Sequence, residues 1–163
     1  MKGFTLIELL VVIGIVVILM TAALVAINPF RQFAMANNAN RSSGVTTIMN
    51  AVYQNVVDNR GTFTCAAGDI PATVECMGDS TAATPPDECS GGYYDICDCL
   101  VPTYVGTMPI DPQSGSYSAC TAAATDEYDT RYTIQRDATT GRITICAPYT
   151  QIPPETAAIC ITR

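Results

Sequence analysis

Glu8 is the residue that demands most of its surroundings, because it is the single acid in a long apolar run. A carboxylate at the centre of a bilayer costs about 2.5–3.5 kcal/mol on insertion scales. Its presence points to a cation at the same depth. Cleavage after Gly3 would create one, the α-amino group of Phe4, one helical turn from Glu8. The other chemistry-bearing set is the cysteines, eight in all and every one beyond residue 60: Cys65, Cys76, Cys89, Cys97, Cys99, Cys120, Cys146 and Cys160. An even number in a chain with an export segment reads as disulfides formed outside the cytoplasm. Four of them, Cys89, Cys97, Cys99 and Cys120, could instead hold zinc, but they lack the paired C-x-x-C spacing of structural zinc sites.

What is absent narrows the chemistry further. The chain has no His, which removes His-based triads, His metal ligands and His acid–base work. No phosphate-cradling glycine loop and no nucleophile elbow appears. The adjacent acids Asp87-Glu88 and Asp126-Glu127 lie in turn-rich stretches, where carboxylates are solvated. The expectation is a protein that is not an enzyme. Residues 1–60 carry a net +2 and residues 61–163 a net −9, giving −7 for the whole. So acidic a C-terminal part offers no electrostatic footprint for nucleic acid. Asn40-Arg41-Ser42 fits a glycosylation sequon, a pattern too short to carry weight alone.

These residues must be positioned by a small set of elements. Phe4–Ile27 is 24 residues long with only Glu8 charged, enough as a helix to cross a hydrocarbon core of about 30 Å. Asn28-Pro29 predicts a kink or break. Residues 30–44 are rich in Asn, Ser and Gly and are expected to be the weakest part of the helical arm, open to local unwinding. From there Val45, Ile48, Met49, Val52, Tyr53 and Val56 recur at helical spacing and form one apolar stripe, with Gly61 as its cap. The segment 28–60 thus reads as an amphipathic helix and 61–163 as a globular head. Short strands are expected near 93–97, 103–105 and 116–120. Clearer alternation marks a hairpin with Tyr132 and Ile134 on one arm and Ile143 and Ile145 on the other, then a third strand at Ile159 and Ile161. Cys146 alternates with Ile143 and Ile145, and Cys160 lies between Ile159 and Ile161; if these strands are neighbours in one sheet, both sulfurs share a face and can bridge. A Cys65–Cys76 bond is the next expectation. Cys97 and Cys99, too close to pair with each other, should each take Cys89 or Cys120.

The run Gly3, Phe4, Thr5, Leu6, Ile7, Glu8 and Leu9 resembles the processing motif of type IV pilins and type II secretion pseudopilins. The resemblance covers roughly residues 1–30. It implies an α+β pilin-like fold, a long N-terminal helix on a small antiparallel sheet with disulfide-rich loops. It further implies that prepilin peptidase removes residues 1–3, that Phe4 is N-methylated, and that Glu8 directs assembly. The partners implied are further copies of the chain in a homo-oligomeric filament and an inner-membrane assembly platform. The implied location is the inner membrane, single-pass, with the head outside the cytoplasm, and then a periplasmic or extracellular filament. Met108-Pro109-Ile110-Asp111-Pro112 resembles the Pro-x-Asp-Pro segment of major pseudopilins, whose neighbouring loop holds calcium. Asp111, Asp126, Glu127 and Asp129 are the acids that could serve here. A C-terminal Cys146–Cys160 loop resembles pilins instead. The rival reading is a secreted, disulfide-rich binding protein or enzyme with a cleaved signal. Glu8 argues against it, since a plain signal core gains nothing from a carboxylate.

Overall fold

The computed structural model describes residues 3–79, 89, 91–120, 128–151 and 157–163. Helix α1 covers Leu6–Ile27 and helix α2 covers Pro29–Asp58. Asn28 separates them with a left-handed backbone (φ 45°). Its side chain and carbonyl both accept from the Arg31 N–H. Pro29 takes the first position of α2, where its missing N–H has no helical partner to lose. The chain divides into two compact units, residues 1–36 and 37–163.

The weak stretch 30–44 is helical throughout, contrary to the expected unwinding. Two physical reasons account for the difference. Residues 31–36 (RQFAMA) are mostly good helix formers, so the poor run is only 37–44. That run is held from outside by the buried Arg41 and Asn38, described below. The stripe behaves as its spacing predicts: Val45, Ile48, Met49 and Val52 are fully buried, and Tyr53 and Val56 pack partly buried beside them. At the end of α2 the Gly61 N–H donates to the Val56 carbonyl and the Arg60 N–H to Val57. This is a Schellman end. Its left-handed residue is Arg60 (φ 61°), one place before the expected cap, Gly61 (φ 95°).

The second unit contains a sheet in the order β2-β1-β4-β5-β6, with β3 also on β4. The strands are β1 Glu75–Gly78, β2 Tyr93–Tyr94, β3 Ser116–Tyr117, β4 Tyr128–Arg136, β5 Ile143–Ala147 and β6 Ile159–Thr162. It is mixed rather than purely antiparallel, because β1 and β2 run parallel with Cys76 opposite Tyr93. The hairpin β4–β5 and the third strand β6 lie where alternation placed them. Of the three weaker expectations, 93–97 and 116–120 are met in part, by β2 and β3, and 103–105 is not. Residues 97–100 form a one-turn helix, α3, residues 103–105 form no strand, and only 116–117 of the third stretch pair. In β4 a left-handed Arg131 (φ 59°) and a register shift opposite Cys76/Gly78 mark a bulge. The Asp129 carboxylate and Thr130 hydroxyl hold it by accepting the N–H groups of Arg131 and Tyr132. The core joins the α2 stripe to Met77, Ile96, Leu100, Tyr132, Ile134 and Ile145.

The four disulfides are Cys65–Cys99, Cys76–Cys89, Cys97–Cys120 and Cys146–Cys160. Cys146 and Cys160 are direct cross-strand partners. The Cys65–Cys76 pairing is corrected: Cys65 takes Cys99, and Cys76 takes Cys89. Cys99 therefore bonds neither Cys89 nor Cys120, whereas Cys97 does take Cys120. Helix α3 explains the difference. Residues two apart share a face on a strand but diverge on a helix, so Cys97 turns to Cys120 and Cys99 to Cys65.

Candidate processing and assembly site

Thr5 is the N-cap of α1, in extended backbone (φ −82°, ψ 148°). Its hydroxyl accepts the Glu8 N–H at 3.3 Å and donates to Glu8 Oε2 at 3.4 Å. The pattern Thr-x-x-Glu is that of a capping box, a signal that the apolar run around it masks. The cap has two consequences. It stops the helix at Leu6, so Gly3 and Phe4 lie outside it and are exposed. It also gives the Glu8 carboxylate a local hydrogen-bond donor in the Thr5 hydroxyl.

The helix after the cap is apolar on every side, and from Leu6 through Val25 it is exposed all round within the chain. A helix of that kind is stable only when something else covers it, lipid or other apolar helices. Leu6–Val25 is long and apolar enough to cross a membrane.

The acids proposed for calcium have other partners. Asp111 is buried and its Oδ2 accepts from Arg41 Nε at 2.6 Å, both side chains being 1 % exposed. Its other oxygen accepts the N–H groups of Gln113 and Ser114 and the Ser114 hydroxyl. Burial alone would raise the Asp111 pKa, but the Arg41 guanidinium and those two N–H groups hold it below the ordinary 3.8. Arg41 Nη1 also donates to Asn38 Oδ1, which accepts the Gln151 N–H in turn. Asn37 and Gln113 reach the Gln151 side chain. This network fastens α2 to the 111–114 loop and to Gln151. Asp129 faces Arg131, whose Nε lies 3.0 Å from Oδ2 as a charge contact without hydrogen-bond alignment, and accepts from the Tyr93 hydroxyl. Each carboxylate is thus committed to an arginine, a donor set that does not fit a cation. Asp126 and Glu127 lie outside the described residues. Sequence reasoning missed Arg41, whose only signal was a lone cation within a polar helical stretch.

Residues 1–24 match the model of the prokaryotic N-terminal methylation motif. The chain begins as a prepilin does. Comparison with curated proteins and with solved structures finds no match. The shared feature is therefore the prepilin N-terminus, and the head stands on its own geometry.

Proposed function

We propose that this chain is a structural subunit of a type IV pilus or pseudopilus filament. Prepilin peptidase cuts between Gly3 and Phe4, Phe4 is methylated, and α1 holds the subunit in the inner membrane until assembly. The observation that supports this most is an uncovered apolar helix bearing Glu8 immediately after a capped, exposed junction. In the membrane Glu8 has Thr5 and its own Phe4 amine. In a bundle of such helices, where water is excluded, pairing of Glu8 with a neighbour's Phe4 amine fixes the axial register. The disulfide-rich second unit suits an oxidising space outside the cytoplasm.

Mass spectrometry of the mature N-terminus tests the processing. The expected product starts at N-methylated Phe4. A product starting near Ile27 would favour the secreted rival. Replacing Gly3 by a bulky residue such as Ile should leave residues 1–3 attached and the chain in the membrane, read by the same spectrum.

A further inference from the structure

We propose that the second unit carries an oligosaccharide-binding trough around the C-terminal end of α2. Three depressions adjoin there. The first, about 610 Å³, is bordered by Asn50, Gln54, Asp58, Thr103 and Tyr104. The second, about 260 Å³, lies over Val56, Phe63 and Ile143, and Tyr53 borders both. A third, about 260 Å³, lies beside the 137–141 turn and shares Asp69, Ile70, Arg136 and Gly141 with the second. Gly61 (φ 95°) and Gly141 (φ 71°) occupy left-handed positions on the rim, where side chains that would close the trough are disfavoured.

Some polar groups along this path have partners, Asn50 with Arg163 and Asp58 with Tyr104, and others are uncommitted. Among the described residues, the side chains of Tyr53, Gln54, Asp69 and Arg136 make no hydrogen bond or ion pair. By contrast, Arg41 and Arg131 each face an aspartate. Asp69 and Arg136 border the same two depressions without pairing, which leaves an acceptor and a fork of donors open to a ligand. A sugar ring offers an apolar C–H face and a rim of hydroxyls that donate and accept at once. The rings of Tyr53 and Tyr104 suit the face; the Gln54 amide, Asp69 carboxylate and Arg136 guanidinium suit the rim. The mixed, open lining is too wet for a purely apolar ligand. The net charge of −7 opposes a polyanion such as nucleic acid. A chain of neutral sugars with one acidic sugar at the Arg136 end uses every group named.

Full-length protein in detergent micelles can be titrated calorimetrically with cellotetraose and with cellotetraose bearing one terminal uronic acid. Both should bind saturably, the acidic sugar about tenfold tighter through a charge-assisted contact. Arg136→Gln should abolish that preference while keeping neutral binding. Tyr104→Ala should weaken both sugars about fivefold. Tyr53→Phe, which keeps the ring and the packing, should lower affinity less than Tyr104→Ala does. No saturable binding of either sugar to wild-type protein would overturn the proposal. So would unchanged affinity in Tyr104→Ala. If the trough variants lose filament yield and wild type binds neither sugar, the surface is a contact between copies of the chain instead.

Discussion

Glu8 on an apolar helix and Arg41 in the core both sit where charge is costly, and they meet the cost differently. Glu8 carries its own first partner in Thr5 and lies on a helix whose apolar side chains are exposed. Arg41 is wholly buried, with Asp111, Asn38 and Gln113 around its guanidinium. Removing one member of such a pair leaves the other charge stranded, which costs about 3–5 kcal/mol. Asp111→Asn should therefore lower thermal stability sharply, whereas Arg41→Met with Asp111→Leu should recover most of it. A double variant no more stable than Asp111→Asn would show that the pair itself was not the cause. The same carboxylate predicts an acid limb. Its folded pKa lies below 3.8, so its contribution is present at neutral pH and fades as pH falls through the lowered folded value. Acid titration of unfolding should show this limb in wild type and lose it in Asp111→Asn. Glu8 stands out in the sequence because an acid in an apolar run has few explanations. The Arg41–Asp111 pair does not, since its members are 70 residues apart, nothing marks Arg41, and the segment around Asp111 suggested a calcium ligand.

Periodic elements were legible and aperiodic ones were not. The α2 stripe, the β4–β5 hairpin and the β6 strand all rest on repeated spacing that survives folding. The region from 91 to 120 follows short contacts and disulfides, so short alternation there placed β2 and β3 only in part, missed α3 and suggested a strand at 103–105 that does not form. Helix α2 through 37–44 shows tertiary contacts overriding weak propensity. One packing detail makes that dependence testable. A Cβ at Gly44 would stand 3.0 Å from the Tyr132 hydroxyl oxygen and 3.2 Å from its ring. Tyr132 cannot easily withdraw, because its hydroxyl donates to the Ile110 carbonyl. Gly44→Ala should thus destabilise by about 1–2 kcal/mol despite the better helix propensity of Ala. Adding Tyr132→Phe should relieve part of the clash; a stabilising Gly44→Ala would refute the close approach. At the sheet edge, the Cys146–Cys160 bond closes a short loop (sequence separation 14) between β5 and β6. Replacing both cysteines by Ala should cost about 3 kcal/mol in the chain-entropy account. Denaturant unfolding under oxidising conditions measures it.

At the scale of the molecule, residues 1–36 and 37–163 have different needs. The second unit has its own core and four disulfides. The first has an apolar helix that requires outside cover, and lipid and a bundle of like helices are the two solvents that offer it. Glu8 separates these two. In lipid alone the carboxylate is a burden, and Glu8→Leu makes the segment more apolar, so insertion and cleavage should proceed. In a bundle the substitution leaves a neighbour's Phe4 amine without its partner, at about 3–5 kcal/mol for a buried charge. The decisive measurement is the ratio of sheared filament to membrane-retained subunit for Glu8→Leu beside wild type, both expressed as the full chain. The account predicts a processed, membrane-bound Glu8→Leu subunit with little or no sheared filament. Filament yield equal to wild type would contradict it.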